Sequence, residues 1–538
     1  GLSKVHYSLH NVSPLLPREE SLGRARVWLT DETRYEHEEE NALLPLFPKT
    51  GVCFSGGGTR ALTAAYGQLR ALTHLGLMGD IGYLSCVSGG SWAAVPYTYH
   101  ELGAQGDEEL LGPVSAPEEI DMQNLAEIPD VRLARPATTN FRQVLESCVA
   151  DDGLARERVW IHAVAKTFLA PFGLFDPARP SWFTWDSRTE ADILAVNPAL
   201  TKFPAHKVRA DVWRPFLLIN TCLMWPPGPE SGCQRVGFEC TPLYVGSPNR
   251  LTLESRSNEF CIVGGGYLEA FAFGCPKPIG CPDNHGRMRI VMPTHPFSLA
   301  DAVGMSSAVS NRPEGAAFVP QARYWPPGSE EIPSTEFQMF ADGGEIENFG
   351  LIGLLRRRVE RLIVFVNTLH PLSERMEFRE PFETIGIDPF IPPLFGYPSS
   401  KCPHNQVFSR AAFQDVVSKL HAAKRRGHCV IASTRLMVQK NERWGVSGDW
   451  ETQVCWIYNE RVPSWEILLN PEIRRAIEDG QLPHPSGPFE NFPFYKTEGQ
   501  NPGSIIRLTP MQVNLLAELS CWNVLQNADY LTNFLRGT

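Results

Sequence analysis

The chain has 538 residues, of which 43% are hydrophobic and 20% charged, enough apolar matter for a large core and too ordered a composition for extended disorder. A formal charge of −11 argues against a nucleic-acid binder and against a purely electrostatic grip on anionic lipid. Thirteen cysteines, an odd count without any C-x-x-C pair, argue against both a zinc site and a secreted disulfide scaffold, and a soluble cytoplasmic protein is expected.

Residues 1–48 read as polar and irregular, with no signal-peptide pattern and one isolated glycosylation match at Asn11-Val12-Ser13. An N-terminal extension, 1–44, is therefore expected ahead of one domain spanning 45–538. The run Gly51–Phe54 is apolar enough for a buried strand. Three glycines follow, and then Leu62, Tyr66, Leu69, Leu72 and Leu75 recur at helical spacing up to a stop at Gly76. A second strand is expected over 81–87 ("IGYLSCV") and a second helix from "SWAAVPYTYHEL". This strand–helix–strand–helix order implies a right-handed crossover and an α/β fold with a mostly parallel central sheet flanked by helices.

Residues 101–140 turn acidic among Gly and Pro and read as a mobile surface insertion. From 155 to 190 tryptophans and phenylalanines crowd together, as an ordinary satellite core or as an apolar cap over a greasy substrate. We treat 101–190 as an inserted cap or lid region. Strands return at "FLLINTCL", "RIVMP" and "RLIVFVNT", and a tail helix at "TPMQVNLLAELSCWNVLQ". The part from 371 to 538 is expected to pack on the core, unless the Pro-rich run 387–400 is a linker to a separate domain. The basic clusters at Arg356–Arg358 with Arg361, and at Lys424–Arg426, read as solvated helix faces.

The turn Ser55-Gly56-Gly57-Gly58-Thr59-Arg60 is built to hold an anion. It lacks the Lys-Ser/Thr of a P-loop. As Gly56-x-Gly58-x-x-Ala61 it satisfies a dinucleotide fingerprint, but the second strand ends in Cys86-Val87-Ser88-Gly89-Gly90, with no acid for a ribose. That ending is G-x-S-x-G with cysteine for its first glycine, at a strand-to-helix junction that would raise the Ser88 hydroxyl above the sheet edge. Adjacent parallel strands bring both turns to one edge, where the N–H groups of Gly57 and Gly58 would face the carbonyl that Ser88 attacks. The serine needs a base, and Asp342, in a short apolar run ahead of Gly343-Gly344, is the candidate.

Together, Ser55-Gly-Gly-Gly-x-Arg60-Ala61, x-Ser88-Gly-x-x-Trp92, and Asp342-Gly-Gly with Asn348 six residues on resemble the cytosolic phospholipase A2 and patatin-like acyl hydrolases. The resemblance implies a patatin-like catalytic domain and a Ser88–Asp342 dyad that cleaves acyl esters of phospholipids or lysophospholipids through an acyl-enzyme. It also implies an oxyanion hole at Gly57, Gly58 and Gly89, and a substrate-phosphate contact at Arg60. It requires no cofactor and no metal, and it brings peripheral membrane contact through apolar residues. With about 50 residues before the first core strand and no EF-hand loop, calcium independence is expected. The same acyl-enzyme serves a transacylase. Two other readings stand beside it. One is an α/β-hydrolase triad of Ser88, Asp342 and His370, and the other a non-catalytic lipid- or nucleotide-binding module.

Overall fold

A computed structural model describes residues 22–30, 49–101, 106–225, 234–254, 260–278, 280–309, 318–327, 337–379, 383–497 and 507–538. The glycosylation match at Asn11 lies outside them. A 13-stranded sheet organises the chain. Its strands in chain order are β1 Leu22–Leu29, β2 Thr50–Phe54, β3 Tyr83–Val87, β4 Phe216–Trp225, β5 Gln234–Cys240, β6 Tyr244–Ser247 and β7 Gly266–Glu269. They continue with β8 Arg287–Val291, β9 Gln321–Arg323, β10 Phe337–Asp342, β11 Arg361–Val366, β12 Val430–Val438 and β13 Trp450–Tyr458. The helices used below are α1 Gly58–His74, α2 Gly89–Tyr99, α3 Gly106–Leu111, α4 Arg156–Phe168, α5 Ser187–Val196, α6 Leu299–Ser306, α7 Leu351–Arg356, α8 Arg410–Arg425 and α9 Pro510–Leu525.

Across the sheet the order is β8-β1-β7-β6-β5-β4-β3-β2-β11-β13-β12, with β10 pairing β4 and β9 pairing β10. Parallel pairing is confined to the five middle strands, β4-β3-β2-β11-β13. The flanks are antiparallel, so the expected α/β sheet flanked by helices is present in mixed form. Period-two alternation feeds two cores: Val52, Phe54, Leu84, Ile363 and Phe365 face one, Cys53, Tyr83, Leu362, Val364 and Val366 the other. Strands buried on both faces read as continuous apolar runs, which is why β2, β3 and β11 stand out in the sequence.

The helix α1 is not the one-faced helix its spacing predicts, since every residue from Thr59 to Leu72 is buried. Its outer face is covered by α9, whose Ala517 backbone lies so close that a Cβ on Gly67 would clash with it. Residues 106–137, expected as a mobile surface insertion, pack inward. Leu110, Leu111, Leu125 and Leu133 are buried, and Asn514 on α9 donates to Leu125 O and Glu127 O. The aromatic run behaves as core, with Phe168 stacked on Trp92 at 3.9 Å between centroids and Trp160 against Phe141.

Two further expectations change, and one alternative falls away. The segment 22–29 is a full strand, β1, pairing β7 and β8, and not irregular chain. Ile387, Ile391, Leu394 and Phe395 are buried in the second core, so the Pro-rich run is no linker. Arg356 and Arg357 are not solvated: both ion-pair with the fully buried Glu239, which also accepts the Tyr267 hydroxyl.

Candidate active site

The parallel centre places the ends of β2, β3 and β11 at one edge. Here Ser55 Oγ accepts the Asn367 N–H at 2.8 Å, tying the end of β2 to the end of β11. The chain then turns through Gly57, at φ 140°, and Gly58, at φ 58°, into α1. Both are backbone states an L side chain rarely adopts, so the glycines are required by conformation.

Ser88 follows β3 directly and caps α2 with φ 50° and ψ −121°, a strained conformation for a residue with a side chain. The strain is held by the surroundings. Ser88 N donates to Ser306 Oγ at 3.1 Å, Ser306 Oγ donates to Asn220 O, and Ser88 O accepts from both Ser91 N and Ser91 Oγ. The loops on either side are in tight contact: a Cβ on Gly89 would stand 2.7 Å from Gly58 N and closer still to its oxygen, and one on Gly56 would stand 3.1 Å from Ser88 Cβ. Gly58 and Gly89 open their helices, so neither N–H has an intrahelical acceptor. Among the described residues, no acceptor is bonded to the N–H of Gly57, Gly58 or Gly89.

Asp342 reaches the same place from the opposite direction. Along one edge of β4, Asn220 is the partner of Val87 at the end of β3, and Thr221 is the partner of Asp342 at the end of β10. The parallel strand β3 and the antiparallel strand β10 therefore end head to head, with Ser88 and Asp342 on the two facing termini. Gly343 makes the junction possible, because a Cβ there would lie 2.5 Å from Asn220 O and 3.2 Å from Val87 Cγ1. Asp342 Oδ1 accepts the Gly344 N–H at 2.7 Å, and its own N–H donates to Ala308 O. Ser88 and Asp342 are 8% and 6% exposed, so both stand largely out of water.

Asn348 links the two loops: its backbone oxygen accepts Gly56 N at 2.9 Å and its side-chain amide donates to Gly56 O. Next to it, the buried carboxyl of Glu347 is pushed up to about 7 by loss of hydration, against four backbone N–H groups that pull it down. The thiol of Cys86, which stands where the elbow pattern has glycine, is buried and held protonated by desolvation.

Arg60, expected to meet a substrate phosphate, is engaged elsewhere. Its side chain is buried and donates to Asn367 O at 2.9 Å, Tyr495 O at 2.9 Å and Thr497 Oγ1 at 3.3 Å. Thr497 in turn donates to Gly57 O at 2.7 Å. The pair acts as a clamp on the glycine turn, a role that local sequence could not reveal because Thr497 lies at the far end of the chain. Nor did any motif mark Ser306 or Asn220. His370 is exposed beyond β11, two strand spacings or roughly 10 Å from β3, on the side of Ser88 away from Asp342. No described histidine hydrogen-bonds Ser88. Among the described residues, no group of three His, Cys, Asp or Glu is arranged to hold a metal, and no helix is long and apolar enough to cross a membrane.

No protein-family model matches the chain. Short stretches match curated proteins: 43% identity over 67 residues with cytosolic phospholipase A2 zeta of Mus musculus, and 42% over 67 residues with that of Homo sapiens. Each covers 12% of this chain and 8% of the relative. Human cytosolic phospholipase A2 delta matches at 47% over 45 residues, 8% of this chain and 6% of that protein. Among solved structures, human GIVD cytosolic phospholipase A2 aligns with a TM-score of 0.42 and 14% identity, over 94% of this chain and 61% of that one. The same protein in complex with methyl gamma-linolenyl fluorophosphonate aligns at 0.38, again with 14% identity, over 94% of this chain and 63% of that one. The chain thus spans about three fifths of the solved relatives, and the matched stretches under a tenth of the curated ones. In the motifs that line this sheet edge and in sequence, the chain resembles the cytosolic phospholipases A2.

Proposed function

We propose that this protein is a serine acyl hydrolase that cleaves acyl esters of glycerophospholipids or lysophospholipids. The observation that carries the reading is the strained Ser88, set at the end of β3 against the terminus of β10 that bears Asp342. In this reaction Ser88 Oγ attacks the ester carbonyl while Asp342 takes its proton. The tetrahedral oxyanion accepts hydrogen bonds from the N–H groups of Gly57, Gly58 and Gly89, each typically worth ~10²–10³ in rate. Asp342 then passes the proton to the leaving alcohol, and an acyl-Ser88 ester remains. Water, activated by Asp342, releases the fatty acid; a lysolipid hydroxyl in place of water gives transacylation. The phospholipid substrate class is supported by the sequence likeness to cytosolic phospholipases A2. The same likeness supports the reading of a cytosolic enzyme that meets lipid at a membrane surface. None of these steps calls on calcium.

The test is mass spectrometry of products from mixed phospholipids and lysophospholipids, wild type beside Ser88→Ala and Asp342→Asn, with calcium chelated. Wild type is expected to release free fatty acid, and each variant to lose about 10⁴-fold or more. Equal release by wild type and Ser88→Ala overturns the assignment. A His370→Ala variant as inactive as Ser88→Ala replaces the dyad with a triad.

A further inference from the structure

On the antiparallel flank, between β1, β7, β8 and α5, lies a cavity of about 290 Å³, whose wall at Trp185 reaches Phe216, the partner of Tyr83 at the opposite end of β3 from Ser88. That volume falls just below the roughly 300–1,000 Å³ of drug-sized pockets and suits a molecule the size of a lipid headgroup. Its walls combine two chemistries. Arg188 and Arg287 supply cationic forks, and Trp28, Trp185 and Asp192 supply two indoles and a carboxylate to the same lining.

The charges are available. Among the described residues neither Arg188 nor Arg287 forms an ion pair, and Arg287 Nε is buried without a hydrogen-bond partner. Asp192 is also without an ion-pair partner, although Arg188 sits one helical turn away on α5. The remaining carboxylates are occupied: Asp186 caps α5 through Thr189, and Glu269 accepts the Arg26 N–H. The indoles are held by neighbouring rings, Trp28 by Tyr244 at 5.2 Å and Trp185 by Phe216 at 5.5 Å between centroids. Indoles and a carboxylate lining one cavity suit a quaternary ammonium, and the guanidinium forks of Arg188 and Arg287 suit a phosphate.

We propose that this cavity binds a phosphoalkylammonium zwitterion of the phosphocholine type, with phosphate on Arg188 and Arg287 and the ammonium between the indoles and Asp192. The site is separate from the Ser88 chemistry and does not depend on it. The ligand reaches it either as a free phosphoester or as the headgroup of a lipid.

The test is titration of the full chain with phosphocholine, inorganic phosphate and choline, followed by calorimetry and indole fluorescence. Phosphocholine is expected to bind at least tenfold more tightly than phosphate or choline alone. Arg287→Gln and the exposed Arg188→Gln are expected to weaken phosphocholine and phosphate alike, each at least tenfold. Asp192→Asn is expected to weaken phosphocholine and choline and to spare phosphate, while Ser88→Ala changes none of them. Unaltered thermal denaturation of the variants separates lost contacts from lost folding. Phosphocholine binding no tighter than phosphate, no binding at all, or binding indifferent to all three cavity variants overturns the proposal. Displacement of bound phosphocholine by phosphatidylcholine vesicles supports it with a membrane source; binding of soluble phosphocholine that vesicles do not displace supports it with a free one.

Discussion

Ser88 holds a backbone conformation, φ 50° and ψ −121°, that costs a residue with a Cβ about 1–3 kcal/mol. Glycine carries no such cost, while alanine does. Ser88→Gly should therefore raise the stability of the folded chain by about 1 kcal/mol over Ser88→Ala, with both variants inactive, as read from denaturant midpoints. Equal midpoints would mean that the elbow is not strained. Glu347 makes a second case. Its folded pKa of about 7 lies above the ordinary 4.5, so between those values the folded state holds a proton that the unfolded state has lost. The contribution of Glu347 to stability is greatest below about 4.5, falls as pH rises to about 7, and then levels off, by on the order of 3 kcal/mol in all. Glu347→Gln should remove that slope. Because Glu347 accepts the N–H groups of Phe349 and Ile352, the loop joining Asp342 to α7 feels the same titration.

At the scale of elements, the crossing of α1 and α9 is the contact on which the glycine turn leans, since α1 begins at Gly58 and α9 closes its outer face. Gly67 sits where the helices touch, and Gly67→Val should force them apart at a cost of about 1–3 kcal/mol. Limited proteolysis should then release the tail around 510–538 faster than in wild type, and unchanged cleavage would remove α9 from this role. The same contact explains what the sequence did not reveal. The β2–α1–β3–α2 run was legible because its apolar strands and glycine turns are contiguous, but the small residues on the outer face of α1 gave no sign that another helix covers it. β1 carries a short alternating signal: in "LGRARVWL" Ala25 and Val27 point inward between Arg24 and Arg26. Its pairing partners, β7 and β8, lie far along the chain. Ser88 and Asp342 were legible through their glycine neighbours. Thr497, Ser306 and Asn220 were not, because each acts through hydrogen bonds to residues distant in sequence that are made only in the folded chain. Arg60 was legible as special, but its buried bonds to Asn367, Tyr495 and Thr497 were not.

Over the whole molecule, Glu239 is one of the places where charges tie the parallel centre that bears the site to the antiparallel flank that bears the cavity. It lies on β5 with no exposed surface, and its two oxygens receive Arg356 and Arg357 at the end of α7 and the Tyr267 hydroxyl from β7. Removing one member of such a buried cluster leaves the other charges without compensation, which typically costs 3–5 kcal/mol, whereas the intact cluster adds little net stability. Glu239→Gln keeps the volume and the Tyr267 bond but strands two guanidinium groups, so a large drop in thermal midpoint is expected. Replacing Glu239, Arg356 and Arg357 together by apolar residues of similar size should recover much of that loss. The activity of the two variants separates the functions of the cluster. α7 follows directly from the loop of Asp342 and Asn348, so if the cluster fixes where that loop stands, the apolar triple variant will be stable and still slow in releasing fatty acid. If it turns over like wild type, the ionic cluster serves stability alone, and the placement of Asp342 rests on Gly343, Asn348 and the pairing of β10 with β4.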